Sequence, residues 1–266
     1  MMRLRFIINV LISLTCVELQ GQSWNWKLKD SLELDVQELY LDKLNQIYLI
    51  QKDKQSILKL NEDLSTNQEY FSSFISQYTF MDVKDPLKLL LFLPQFANVN
   101  FLDESLAPLS EEYFSNFNNE SAICYYSTNQ LCYYSEGKMN IRNLQDQKVQ
   151  SGETIFYTRK TVNEVSQIKS NGQDVYLLFS GYGLWKFNAF LNIEYFLEDF
   201  AIKRMELMDD KLFVLKDSKI QILQNKNLTD DVIFNSNGDE IQAFSINKKY
   251  LLVALKNKVL RYEFLN

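Results

Sequence analysis

Few residues of this chain could carry out chemistry, and most of them are carboxylates. The 266 residues include no histidine, which excludes Ser-His-Asp and Cys-His catalytic sets, HExxH zinc sites and mixed Cys/His zinc fingers. Three acids, Glu38, Asp82 and Glu206, lie in alternating apolar segments and could offer oxygen ligands to Ca²⁺. Lys169 and Arg204 occupy comparable segments and could pair with those acids instead. We therefore assign no catalytic, metal-binding or cofactor-binding residue, and we expect no cofactor unless the acids hold Ca²⁺.

The overall composition is that of a globular protein with an acidic surface. Hydrophobic residues make up 46% of the chain and charged residues 23%, so a substantial core can form. The formal net charge is -6, and lysine and arginine are not concentrated in one region. Non-specific affinity for nucleic acid requires such clusters. The charge therefore argues against nucleic acid as a partner.

The first 21 residues have the pattern of a secretory signal peptide. Two arginines in residues 1–5 precede a mostly apolar stretch at residues 6–17, and a polar segment follows and ends near Gly21. The apolar stretch is short for a bilayer span, although a buried N-terminal helix or an uncleaved anchor would have a similar sequence pattern. We predict cleavage after Gly21, a single domain at residues 22–266 with no membrane span, and a secreted or secretory-lumen protein, periplasmic if the source is bacterial.

The cysteines and glycosylation sequons are consistent with that compartment. Cys16 would be removed with the leader, which leaves Cys124 and Cys132. A tight turn between them would place the two side chains opposite each other on a hairpin, so we predict a disulfide; two free buried thiols are the alternative. Asn-x-Ser/Thr sequons begin at Asn119 and Asn227 and are candidate glycosylation sites.

A unit of about 40 residues recurs six times along the chain. Each copy has an alternating strand, a short turn, a strongly apolar strand, another turn and a third alternating strand. The first strands of the copies are predicted at residues 36–41, 78–83, 122–127, 165–170, 202–208 and 241–246. The second strands are predicted at residues 47–51, 89–93, 131–135, 175–179, 212–215 and 250–255. A further signature ending in phenylalanine, as at Glu69-Tyr70-Phe71, recurs between copies and indicates a fourth strand.

Four short antiparallel strands repeated at this period are typical of a β-propeller. The chain resembles six-bladed propellers and, in its strand phasing, WD40-type repeats; the segment IQAFSINKKYLLVALKNKVLRYEFL at residues 241–265 resembles them most. The resemblance is architectural and points to no specific family. A helical solenoid or a two-sheet sandwich could also be built from repeats. Alternation of period two favours strands over helices, and a sandwich would not need six equal units.

The ends of the chain are expected to meet in one sheet. The sixth copy ends after its third strand, and residues 24–28 (WNWKL) form a short alternating segment in the phase of the missing fourth strand. Pairing of these residues with the C-terminal copy would remove two sheet edges that could otherwise associate with other chains. We therefore predict an all-β six-bladed propeller whose last blade is completed by the N-terminal strand.

Propellers serve as hydrolases, lyases and binding platforms, so the fold alone does not decide the activity. We expect function on the face formed by loops that enter the first strands and by turns between second and third strands, where Phe96 and Tyr182 occur. The aromatic residues of the fourth-strand signatures are expected to fill space between blades: Tyr70, Phe71, Tyr113, Phe114, Tyr195 and Phe196.

The preferred interpretation is a secreted or lumenal propeller that binds another protein and has no catalytic activity. It rests on the absence of a nucleophile with a base, a phosphate-binding loop or a metal-ligand cluster in the sequence. The first alternative is a calcium-dependent hydrolase of the lactonase or esterase kind, which the resemblance to six-bladed propellers implies and which would use the acids near a central channel. The second alternative is a structural subunit of a larger assembly.

Overall fold

Six four-stranded antiparallel sheets make up the computed structural model, which describes residues 24–51, 53–155, 166–224, 227–236 and 238–265. Five sheets, blades 1 to 5, each contain four consecutive strands, and blade 6 contains the last three strands and the first. The innermost strands of most neighbouring blades contact each other, and the innermost strand of blade 6 contacts that of blade 1. The chain is therefore an all-β six-bladed propeller, as the sequence predicted.

The strand bounds follow the repeat. Blades 1 to 3 contain β2 (Val36–Leu41), β3 (Ile47–Gln51), β4 (Ser56–Leu60), β5 (Thr66–Phe71), β6 (Phe80–Asp82), β7 (Leu89–Leu93), β8 (Asn98–Leu102), β9 (Pro108–Tyr113), β10 (Ala122–Ser127), β11 (Gln130–Ser135), β12 (Lys138–Asn143) and β13 (Val149–Thr154). Blades 4 and 5 contain β14 (Ser166–Ser170), β15 (Val175–Phe179), β16 (Gly183–Phe187), β17 (Ile193–Glu198), β18 (Ile202–Met208), β19 (Lys211–Lys216), β20 (Lys219–Gln224) and β21 (Asn227–Asn235). Blade 6 contains β22 (Ala243–Ile246), β23 (Tyr250–Leu255), β24 (Lys258–Phe264) and β1 (Trp26–Leu32).

The second strand of every blade is almost wholly buried because both faces of the sheet are covered. All five residues of β7 and all five of β15 are buried, whereas the outermost strands β9 and β13 are mostly exposed. Successive side chains of a strand point to opposite faces, so a strand packed on both sides must be apolar at every position. This explains why the second strands were the clearest signal in the sequence.

The core consists of six apolar clusters, and each cluster lies between two neighbouring blades. In β3, Tyr48 joins the cluster shared with blade 2, while the next residue, Leu49, joins the cluster shared with blade 6. Neighbouring residues of one strand therefore stabilise different interfaces. At roughly 25 cal/mol per Å² of buried apolar surface, this burial is the main favourable contribution to folding.

Several predicted strands coincide with the observed ones, and others differ at their ends. The predicted first strand at residues 78–83 is shorter in the structure, where β6 covers Phe80–Asp82. The predicted strand at residues 241–246 begins later, at Ala243. These differences lie at strand termini, where the hydrogen-bonded ladder ends before the apolar pattern does.

The predicted disulfide is not present in the structure. Cys124 and Cys132 are direct cross-strand partners in β10 and β11, as the hairpin prediction required, but both are free and buried. They belong to the cluster between blades 3 and 4, where burial raises the pKa of both thiols. The thiolate is the form that enters disulfide exchange, so this surrounding disfavours oxidation. The two residues act here as small apolar side chains.

The leader lies outside the described residues, so the signal-peptide prediction stays a prediction. Within the part of the chain that the structure describes, no helix is long and apolar enough to cross a membrane.

Strand β1 lies at the outer edge of blade 6, antiparallel to β24, with Trp26 opposite Phe264 and Leu32 opposite Val259. Asp30 of β1 accepts hydrogen bonds from Arg261 of β24, including one of 2.9 Å from Nε. The same guanidinium donates to the carbonyl oxygen of Glu62 in blade 1, at 2.6 Å. Arg261 is only 2% exposed, so its charge depends on these partners.

Replacing Asp30 should weaken the attachment of β1 much more than replacing a nearby exposed acid. We expect Asp30→Asn to lower the free energy of unfolding by about 3 kcal/mol, because a buried guanidinium loses its carboxylate. The control is Glu33→Gln, which removes an exposed ion pair of 3.2 Å with Lys258 and should cost under about 1 kcal/mol. Urea denaturation of both variants makes the comparison, and equal losses would contradict this role of Arg261.

Candidate functional site

The innermost strands bring together the charged residues that the sequence singled out. Glu38 of β2 and Arg204 of β18 form an ion pair of 2.5 Å across the central channel. Lys169 of β14 and Glu206 of β18 form a second pair of 2.9 Å, in which the ammonium donates to both carboxylate oxygens. These pairs join blade 1 to blade 5 and blade 4 to blade 5. The sequence offered the alternative that Lys169 and Arg204 pair with the acids. The structure shows such pairs for four of the five charged residues.

Asp82, the fifth charged residue, accepts backbone hydrogen bonds. Its two carboxylate oxygens accept from the amide of Lys84 at 2.9 Å and from the amide of Tyr125 in blade 3 at 2.7 Å. The Lys84 ammonium extends across the channel mouth and donates to the carbonyl oxygens of Tyr125, Tyr126 and Ser170, at 3.0 to 3.1 Å. Together these two residues fasten blade 2 to blades 3 and 4.

Burial shifts the protonation of the channel acids. It raises the pKa of Glu38, although the Arg204 charge acts in the opposite direction. Burial likewise raises the pKa of Glu206, against the effect of Lys169. For Lys169, burial lowers the pKa, but the facing carboxylates of Glu206 and Asp82 outweigh this effect. The pKa of Lys169 therefore lies above the ordinary lysine value.

The channel itself has little room for a ligand. The space enclosed between the innermost strands has a volume of about 30 Å³, which is enough for one or two water molecules. Over the residues that the structure describes, no group of three or more Asp, Glu or Cys side chains is arranged to hold a metal ion. Glu38, Asp82 and Glu206 are thus drawn together around one channel, and each carboxylate is engaged by a donor of the protein.

A larger cavity opens at one mouth of the channel, where the innermost strands end. Its volume is about 570 Å³, and charged, amide and apolar residues of blades 1, 2, 4, 5 and 6 line it. Asn247 of blade 6 links this blade to the adjacent blade 1 at the mouth, donating to the carbonyl oxygen of Asp42 at 2.9 Å and to Asn45 Oδ1 at 3.0 Å. This mouth lies on the face opposite to the turns between second and third strands, where the sequence led us to expect function.

The aromatic residues of the fourth-strand signatures differ in whether they pack between blades. Phe114 is buried in the cluster between blades 2 and 3, as predicted. Phe71 and Tyr113, however, are each 67% exposed, so the expectation of interblade packing is wrong for these two residues. Alternation on an outermost strand does not tell whether a neighbouring blade reaches far enough to cover it.

Exposed aromatic rings form two clusters on the face where we expected function. In the first, the rings of Phe74 and Phe96 lie 4.6 Å apart between blades 1 and 2. In the second, on blade 4, Tyr182 stacks on Trp185 and Phe196, with Phe200 at its edge, at centroid distances of 5.6, 5.7 and 6.4 Å. Phe74, Phe96, Phe196 and Phe200 are all substantially exposed.

The candidate modification sites occupy different parts of the fold. Asn119 is exposed in the turn between β9 and β10, and Asn227 is the first residue of β21.

Comparison with known proteins finds similarity in fold only. No family model matches the sequence, and no curated protein matches it. A streptogramin B lyase structure superposes with a TM-score of 0.63 at 8% identity, covering 92% of this chain and 100% of that chain. The WD40 domain of Neurospora crassa Pan2 gives 0.56 at 9% identity, covering 92% and 97%. A catalytically inactive His-to-Ala variant of Staphylococcus aureus virginiamycin B lyase with quinupristin gives 0.60 at 10% identity, covering 91% and 100%.

The channel acids should leave a signature in the pH dependence of stability. A carboxyl whose pKa is raised by folding binds protons more readily in the folded state, so its favourable contribution is present below the unfolded pKa and is lost as pH rises through the folded pKa. We therefore expect the difference in free energy of unfolding between the natural protein and Glu206→Gln to change in favour of the variant as pH rises above the ordinary glutamate pKa.

Urea denaturation at several pH values measures this difference. Glu153→Gln on the exposed strand β13 is the matched control, because its carboxyl faces solvent and the difference should stay nearly constant. An opposite slope for Glu206→Gln would mean that Lys169 outweighs burial.

Proposed function

We propose that this propeller is a non-enzymatic module of the secretory pathway that binds another protein. The observation that carries the proposal is the exposure of aromatic side chains on its outer strands and turns, among them Phe71, Phe74, Phe96 and Phe200. Exposed apolar groups that lie together commonly mark sites of protein association, and aromatic residues contribute strongly to binding when they become buried at an interface. The fold supports the same reading only in general terms, because propellers also host enzymes.

The channel chemistry gives less support to a calcium-dependent hydrolase. Such an enzyme would need several carboxylate or carbonyl oxygens directed at one ion. Here Glu38 and Glu206 each face a cation, and Asp82 accepts two backbone amides. A lyase activity has no support either, since the virginiamycin B lyase variant that lacks a single histidine is described as inactive and this chain has no histidine at all.

The compartment is part of the proposal. We infer that residues 1–21 are a cleaved signal peptide and that β1 then closes the ring by holding blade 6 to the start of the mature chain. The alternating Trp24 and Trp26 support this inference, because their rings contact Phe264 at 5.6 and 5.2 Å and complete the apolar cluster between blades 5 and 6. Exposure of Asn119 is compatible with glycosylation in such a compartment.

Metal analysis and N-terminal sequencing of the protein from its native source test the compartment and the calcium alternative together. We expect a mature chain that begins at Gln22, less than about one-tenth of an equivalent of Ca²⁺ and no change in thermal stability on addition of a chelator. Stoichiometric Ca²⁺ with chelator-sensitive hydrolysis of aryl esters or lactones would replace this proposal by the hydrolase alternative. An intact leader would contradict the compartment.

Crosslinking capture from the same source tests the binding function. The natural protein should retain a stoichiometric protein partner, and removal of rim aromatics in either Phe71→Ser/Phe74→Ser or Phe196→Ser/Phe200→Ser should reduce capture about tenfold or more. Leu44→Ser is the control, because Leu44 is also an exposed apolar residue but lies on the opposite face. Capture of no partner, or equal capture by all variants, would contradict binding through these exposed aromatic residues.

A further inference from the structure

A groove separates the outer parts of blades 1 and 2. Its volume is about 530 Å³, and it is lined by Tyr70, Phe74, Phe96, Leu109 and Glu111 together with polar residues of β8. Blades are arranged radially, so neighbouring sheets pack tightly near the axis and diverge outwards. The apolar cluster shared by blades 1 and 2 fills the inner part of this wedge, and the groove is what remains open at the outside.

The groove walls are apolar and accessible. Phe74 and Phe96 are 52% and 45% exposed, with their ring centroids 4.6 Å apart at a 56° tilt. Leu109 on the outermost strand β9 is also exposed. Together these groups could cover the aliphatic stem and the flat face of an inserted side chain.

The polar groups of the groove are acceptors that lack a cation. Glu111 forms no ion pair within the described part of the chain, and its one hydrogen bond is a long contact of 3.4 Å from Asn98 Nδ2. The Oδ1 atom of Asn98 is buried and has no hydrogen-bond partner. An unpaired buried acceptor costs free energy, whereas the Glu111 carboxylate is exposed and open to a donor brought by a ligand. The described residues that line the groove include no lysine or arginine.

The opposite face of the same blade shows how this chain fills such a wedge. Glu112, the neighbour of Glu111 on β9, points the other way and pairs with Arg142 of blade 3 at 3.3 Å. The Arg142 guanidinium also lies over the Phe114 ring, 4.6 Å from its centroid. An aromatic ring, a carboxylate and an arginine thus occupy the wedge between blades 2 and 3. The wedge between blades 1 and 2 offers the ring and the carboxylate without the arginine.

We propose that this groove binds an arginine side chain, flanked by apolar residues, that is presented by a partner protein. The guanidinium lies against the Phe74 and Phe96 rings and donates to the Glu111 carboxylate. Arginine fits this set better than lysine, because its planar fork can reach both carboxylate oxygens and stack on an aromatic ring at once. The net charge of -6 also favours approach of a basic segment. The assignment rests on the proposed protein-binding function and names the surface and chemistry involved.

Fluorescence anisotropy with a labelled peptide, acetyl-Gly-Leu-Arg-Leu-Gly-amide, tests the assignment directly. We expect saturable binding to the folded protein, a loss of about tenfold when citrulline replaces arginine in the peptide, and a similar loss in Glu111→Gln, because a charge-assisted hydrogen bond is removed in each case. Glu153→Gln, the same change on the outermost strand of blade 3, should bind the arginine peptide like the natural protein. Phe96→Ala should weaken binding to both peptides.

Equal affinity for the arginine and citrulline peptides, or unchanged affinity in Glu111→Gln, would overturn the assignment. Circular dichroism melting of each variant shows whether it is folded, and Glu111→Gln is at an exposed position where folding should be unaffected. The crosslinking experiment separates the two proposals: a partner captured equally by the natural protein and Glu111→Gln would refute the arginine groove but leave protein binding intact. Absence of any captured partner, together with saturable arginine-specific peptide binding, would instead refute only the wider function.

Discussion

The structure depends on burial of both faces of every sheet against its neighbours. No single four-stranded sheet could hide two apolar faces alone, and each of the six clusters joins side chains of two blades. Alternate residues of a blade's second strand face different neighbouring blades. A substitution there therefore affects one of the two interfaces, and a substitution of the next residue affects the other. The same geometry explains the groove between blades 1 and 2, since radial sheets that touch near the axis must separate towards the rim.

Charges in the channel are a second consequence of that arrangement. The innermost strands converge, so polar side chains on their inward face lose most of their contact with bulk water and need partners inside. Arg204 and Lys169 provide those partners for Glu38 and Glu206, and the bridges run between blades rather than within them. The ion pairs of the channel thus hold the blades together and are sensitive to protonation. The side chains that a ligand could reach lie at the mouths of the channel and on the outer parts of the blades.

The sequence predicted the architecture because its signals are local and repeated. Apolar runs such as β3 and β7, which begin about 40 residues apart, are enough to indicate the blades and their number. It could also place Cys124 opposite Cys132, because a short turn fixes the register of a hairpin. It could not decide the oxidation state of that pair, which depends on side-chain packing from blade 4. Nor could it foresee that Phe71 and Tyr113 are exposed or that Asn98 and Glu111 share a groove, since these facts depend on how far one blade leans away from another.

The placement of β1 beside β24 has a consequence for how the molecule is made. Blade 6 combines β22, β23 and β24 with β1, so its sheet joins segments that lie far apart along the chain, as at Trp26 and Phe264. Blades 1 to 5 are each built from consecutive strands and can assemble in chain order during synthesis, but β1 must stay unpaired until β24 has been made. Contacts of such long sequence separation form late, so the time at which blade 6 becomes complete is set by the arrival of β24.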